Sequence, residues 1–190
     1  PRCAPRARYR NSPGGPRPVA ASISRWRRFP NDCCPSGAKI SGLYVNSSLA
    51  RADALGRGYD QPILLTHGGE VSEGYGANIF VIQGRHVMTP PIEADILMGI
   101  TRDSLLHYFG SRPDLTVAEE RITHDQLLRA DEAFFCGTGM EILPIASVDG
   151  TPLKNAPGPM TNEASRWYAD IVTGRLPAPD GWLVPVPHTA

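Results

Sequence analysis

A chain of 190 residues, 41% hydrophobic and 20% charged, has the size and composition of one ordinary globular domain. Nineteen basic and nineteen acidic residues cancel, which removes any bulk electrostatic case for nucleic acid or an anionic membrane surface. Cys3, Cys33, Cys34 and Cys136 form no disulfide framework, no CxxC occurs and the five histidines lack ligand spacing, so no structural metal is expected and the reducing cytoplasm is the expected compartment.

Residues 1–18, Arg- and Pro-rich without acids, read as a linker or a truncated edge, with Arg2, Arg6, Arg8 and Arg10 as solvated charges. Residues 19–190 read as one domain. "VAASISRW" (19–26) alternates as a strand does. Leu43, Val45, Leu49, Ala52 and Leu55 then recur at helical spacing, stopped by Gly56 and Gly58. "PILLT" (62–66) and "ANIFVIQ" (77–83) predict strands around a Gly68–Gly69 turn, and "HVMTPP" a short strand ended by prolines.

"GITRDSLLHYF" (99–109) predicts a turn feeding a helix, with Thr101 as N-cap and Asp103 in the first turn. "LTVAEERI" is a strand with a solvated end, "THDQLLRA" opens with a Thr-x-x-Gln capping box, and "EAFFCGT" is a strand. "EILPIASVDGTPL" is a hairpin turning at Asp149–Gly150, and "TNEASRWYADIVTG" a helix capped by Thr161 and ended by Gly174. Strands and helices mix without a regular βαβ rhythm, which makes the fold class α+β.

Of nineteen basic residues only Lys39 and Lys154 are lysine, and Lys39 is the only ionised side chain between Asp32 and Arg51. Arginine stays protonated, whereas a desolvated lysine can lose its proton and attack a carbonyl. Lys39 therefore reads either as a surface lysine in a small-residue loop or as a buried amine able to hold an aldehyde cofactor as a Schiff base. Glu73, in "SEGYGANIFVI", reads either as a solvated loop acid or as the anion beside a pyridine nitrogen, with Gly74 and Gly76 admitting a planar ligand. "GITR" (99–102) and "GTG" (137–139) are either ordinary turns or phosphate cradles made of amides and threonine hydroxyls.

Taken in order, "AKISGLYVNSSLA", "VSEGYGANIF", "TPPIEADILMGITRDSL", "ADEAFFCGTGMEILPI" and "GPMTNEA" resemble the consecutive motifs of class IV (fold-type IV) pyridoxal-phosphate aminotransferases, and most closely those of the branched-chain amino-acid enzymes. The resemblance implies a pseudo-barrel of mixed β-sheet with flanking helices, the pyridoxal 5'-phosphate-binding large domain of such an enzyme. It implies Lys39 as Schiff-base lysine and proton-moving base, Tyr44 against the cofactor's phenolic oxygen, and Glu73 at the pyridine nitrogen. It also implies Ile100, Thr101 and Thr138 at the phosphate, and Thr138 with Gly139 at the substrate carboxylate. The partners implied are amino acids and 2-oxo acids, with a homo-oligomer of two or more chains. Ala77 stands where many branched-chain enzymes have a second glutamate, and Leu43 where some have asparagine, which bears on subtype. The family's small N-terminal domain has no counterpart before Val19. A D-amino-acid or amine transaminase, an aminodeoxychorismate lyase, and a non-catalytic remnant are the alternative readings.

Overall fold

A computed structural model describes residues 17–182. The reading of residues 1–18 as a linker falls, except for Arg17 and Pro18, outside the described residues. Among these residues no helix is long and apolar enough to cross a membrane.

The strands are β1 (Val19–Arg27), β2 (Gln61–Leu65), β3 (Val71–Gly74), β4 (Asn78–Gln83), β5 (His86–Thr89), β6 (Thr116–Glu119), β7 (Glu132–Gly137), β8 (Glu141–Val148) and β9 (Thr151–Pro152). The helices are α1 (Tyr44–Gly56), α2 (Ile100–Gly110), α3 (His124–Leu128) and α4 (Pro159–Val172), with 3-10 turns at Ser41–Leu43 and Ile92–Ala94. All strands join one curled mixed sheet in the order β3-β2-β1-β8-β7-β4-β5-β6, with β9 paired to β8. The expected α+β pseudo-barrel with flanking helices is the architecture found.

β8 carries the curl. Its first half, Glu141 to Pro144, pairs antiparallel with β7, and its second half, Ile145 to Val148, pairs parallel with β1. A strand that changes partner midway bends the sheet on itself, leaving an inner and an outer face. Side chains alternate between faces, so Ile79, Val81 and Phe135 join the inner core with Ile63, Leu143 and Ile145. Phe80, Ile82, Phe134 and Cys136 join the outer core against α2 and α4. Burial on both faces explains why "NIFVI" and "AFFC" are continuous apolar runs rather than alternating ones.

Several local expectations hold. Thr123 and Gln126 form the reciprocal capping box at α3, and Asp149 (φ 47) and Gly150 (φ 81) make the tight turn into β9. Others are corrected. Residues 71–74, expected as loop, form β3, so the Gly68–Gly69 turn joins β2 to β3 rather than to β4. α4 starts at Pro159 behind an extended Gly158, and Thr161 is no cap; it donates through N–H (2.8 Å) and Oγ1 (2.7 Å) to the buried Glu132 carboxylate. Glu119, at the strand end expected to be solvated, is indeed exposed, and it also pairs with the buried guanidinium of Arg102.

The helix at 44–56 forms as expected, but the face it buries is the opposite one. Asn46, Ser47, Ala50 and Ala54 pack on the sheet, while Val45 (62%), Leu49 (43%) and Leu55 (53%) are exposed. Small side chains let the helix lie close to β1 and β2, and Asn46 Nδ2 donates to the Arg27 carbonyl there (3.0 Å).

Candidate active site

The loop from β1 to α1 and the loop from β5 to α2 are stitched together. Arg28 Nε donates to the Asp95 carbonyl (3.1 Å), and the Asn31 N–H donates to the Asp95 carboxylate (2.9 Å). Ser36 Oγ donates to the Ile96 carbonyl (3.1 Å). Between these loops and the β3–β4 and β7–β8 turns lies a cleft of about 340 Å³, a size that suits a small cofactor or metabolite.

Lys39, Tyr44, Glu73, Ile100, Thr101 and Thr138 all line this cleft, although they come from segments up to a hundred residues apart. Gly139 does not line it; it sits one residue further round the exposed β7–β8 turn. Gly76, at φ +61, holds the β3–β4 turn in a conformation glycine tolerates best, and forms part of the wall. Gly74 has a different reason from the one expected. A Cβ there would lie 2.6 Å from the Phe135 ring, so its bareness serves the inner core and not a ligand.

Glu73 is the most constrained member. It is 4% exposed, and Oε1 takes the Arg28 guanidinium at 2.8 Å. Oε2 accepts the Leu97 N–H (3.0 Å) and Asn78 Nδ2 (3.4 Å). Burial pushes its pKa up to about 7, opposed by the Arg28 charge and the Leu97 N–H. Arg28 was not foreseen as a site residue. It stands in the run "RWRR" (25–28), and nothing local marks it as the arginine that turns inward.

Lys39 departs from the expectation of a buried amine. Its side chain is exposed on the rim of the cleft. Among the described residues it has no hydrogen-bond or ion-pair partner, whereas Lys154 is held by Asp131 at 2.8 Å. An unpaired amine that overlooks a cleft is available to an incoming carbonyl.

Thr101 was expected to cap α2. Gly99 occupies that position in extended conformation, with no side chain bonding the helix end. The first N–H groups of α2 are thus left for another acceptor, at the positive end of the helix dipole. Cys136 lies on the same wall, and burial pushes its thiol pKa up.

These features fit a pyridine aldehyde phosphate by the chemistry of the donor set. An unpaired amine faces the cleft, a buried carboxylate backed by arginine suits a ring nitrogen, and an uncapped helix start with hydroxyls beside it suits a phosphate.

Comparison with known proteins agrees with that chemistry. The family model described as amino-transferase class IV matches residues 4–148. The probable branched-chain-amino-acid aminotransferase of Aquifex aeolicus (strain VF5) is 38% identical over 169 residues, covering 88% of this chain and 54% of that protein. Two crystal structures superpose well. The branched-chain amino acid aminotransferase of Thermobaculum terrenum in its PLP form has TM-score 0.82 and 38% identity, over 84% of this chain and 52% of that one. The T.th. branched-chain amino acid aminotransferase complexed with N-(5'-phosphopyridoxyl)-L-glutamate has TM-score 0.83 and 36% identity, over 88% and 56% respectively. The chain therefore spans about half the length of the relatives it matches.

Proposed function

Because this chain belongs to the class IV aminotransferases, we propose that it is the cofactor-binding part of a pyridoxal-phosphate enzyme exchanging amino groups between branched-chain L-amino acids and 2-oxoglutarate. The observation that carries this reading is the convergence of Lys39, Tyr44, Glu73, Ile100, Thr101 and Thr138 on one cleft, with Glu73 buried against Arg28. The known structures with bound PLP and with a phosphopyridoxyl-glutamate adduct support it. The proposed compartment is the cytoplasm, in keeping with free thiols at Cys33, Cys34 and Cys136. The exposed stripe Val45, Leu49 and Leu55 on α1 supports assembly as a homo-oligomer.

When bound, the cofactor supplies an aldehyde to link the amino group and a ring to take up electrons from the substrate α-carbon. Everything else falls to the chain. Lys39 Nζ would hold the aldehyde, and its free amine would be the base that moves a proton from the substrate α-carbon to the cofactor side. Among the described residues it has no ion-pair partner, which leaves it free for both tasks. Glu73 presents a carboxylate to the ring nitrogen and keeps a proton there, while Arg28 holds that carboxylate in place. Tyr44 bonds the phenolic oxygen. The Ile100 and Thr101 amides and the Thr101 and Thr138 hydroxyls hold the phosphate. The turn at Thr138–Gly139 receives the substrate carboxylate.

The test is a visible spectrum of this chain with pyridoxal phosphate, borohydride reduction, and mass mapping of the modified lysine. Modification confined to Lys39 is expected. Labelling spread over Lys39 and Lys154, or none, would defeat the reading. For a chain that passes, amino transfer to 2-oxoglutarate from leucine, isoleucine and valine, set against D-alanine, separates the branched-chain reading from its relatives in the class.

A further inference from the structure

Behind the cleft wall, Thr101 Oγ1 lies 3.1 Å from the Tyr168 hydroxyl of α4, a contact that spans 67 residues of sequence. Thr101 is 1% exposed and Tyr168 9%. Among the described residues each hydroxyl is the other's only hydrogen-bond partner. Two hydroxyls carry two protons, and one bond uses one of them. The surroundings decide which. Tyr168 sits among Leu105, Phe109, Phe134 and Ala164, where, among the described residues, a phenolic proton not given to Thr101 has no acceptor. Thr101 instead lines the cleft. A phenol is also the better donor and an aliphatic hydroxyl the better acceptor. The bond therefore runs from Tyr168 to Thr101, and the Thr101 proton is left facing the cleft beside the uncapped start of α2. A hydroxyl that accepts one hydrogen bond is polarised to donate a stronger one.

We propose that Tyr168 is a positioning residue, which aims the Thr101 proton at an anion seated on the first turn of α2. This rests on the cofactor reading above, and makes the phosphate preference of the site depend on a side chain that never touches the cofactor.

The experiment compares pyridoxamine 5'-phosphate with pyridoxamine, which differ only in the phosphate and do not react with Lys39. Binding is followed by calorimetry for the unmodified chain, Tyr168→Phe, Thr101→Val, Thr101→Ser and the double variant Tyr168→Phe/Thr101→Val. Tyr168→Phe is expected to weaken the phosphate-bearing ligand roughly three- to tenfold and to leave pyridoxamine unchanged. Thr101→Val is expected to do the same or more, Thr101→Ser to retain the preference, and the double variant to be no worse than Thr101→Val. Equal weakening of both ligands by Tyr168→Phe, a fully retained preference, or additive losses in the double variant would overturn the Tyr168 role. If the unmodified chain itself binds the two ligands equally, the phosphate site falls, and this role with it.

Discussion

The fold buries two glutamates to nearly the same extent, Glu73 at 4% and Glu132 at 3% exposed, and puts them to opposite uses. Glu132, at the start of β7, accepts from the Met160 N–H (3.2 Å) and from the Thr161 N–H and Oγ1. It is a helix cap supplied by a strand. Gly158 is bare because a Cβ there would collide with the Glu132 side chain, so this corner is closed to ligands. Glu73 instead faces the cleft, and its main partner is a cation, Arg28, itself buried on a loop. The corner satisfies its carboxylate with neutral donors and closes. The cleft holds its carboxylate with a fixed charge and stays open, an arrangement that keeps an acid both buried and accessible.

The contrast is sharpest when one partner is removed. Arg28→Met should cost up to about 3–5 kcal/mol above pH 8, where Glu73, with its pKa of about 7, is ionised and a buried carboxylate is left without its cation. Urea melts should show that deficit shrinking on acidification, as Glu73 takes up a proton. A loss independent of pH would place the cost in packing and not in the ion pair.

Next in size is the pH dependence of Glu73 itself. Its folded pKa, about 7, lies above the ordinary carboxylate value of 4.5, so its contribution is complete below the ordinary value and is lost as pH rises through about 7. The stability of the unmodified chain relative to Glu73→Gln should therefore fall by about 3 kcal/mol between pH 4.5 and 7.5. A flat difference would mean that Glu73 stays ionised throughout.

Glu132→Ala should cost about 2–3 kcal/mol, since it strands buried donors at the start of α4. Its ratio of pyridoxamine phosphate to pyridoxamine affinity should survive in whatever fraction remains folded. If Glu132→Ala abolished that preference, the division between closed corner and open cleft would break. The smallest effect is expected on α1, where Leu49→Gln should shift thermal stability of the dilute chain by less than about 0.5 kcal/mol but reduce self-association in sedimentation.

Much of the site was legible in the sequence because its members sit in short stretches whose composition is locally odd. Lys39 stands alone among small residues, Glu73 between Ser72 and Gly74, and Thr101 and Thr138 in Gly/Thr turns. Patterns that depend on a few neighbours also read correctly: the doubly buried runs of β4 and β7, the Thr123–Gln126 box, and the Asp149–Gly150 turn. Patterns of the same kind failed where a distant segment took the decision. The apolar spacing of α1 pointed to a buried face, yet the sheet received the small residues. Thr161 carried the signature of a cap and became a donor to Glu132, 29 residues away.

The sequence by itself determined most of the elements, β3 excepted, and which residue types could do the chemistry, because strand alternation, turn conformation and capping act over a few residues. Only the tertiary structure decided that Arg28, of three arginines in "RWRR", turns inward to Glu73, that Gly74 yields to Phe135, and that Tyr168 meets Thr101. Ion pairing, close packing and hydroxyl orientation depend on groups brought together from segments far apart in the chain, and no local spacing encodes that meeting.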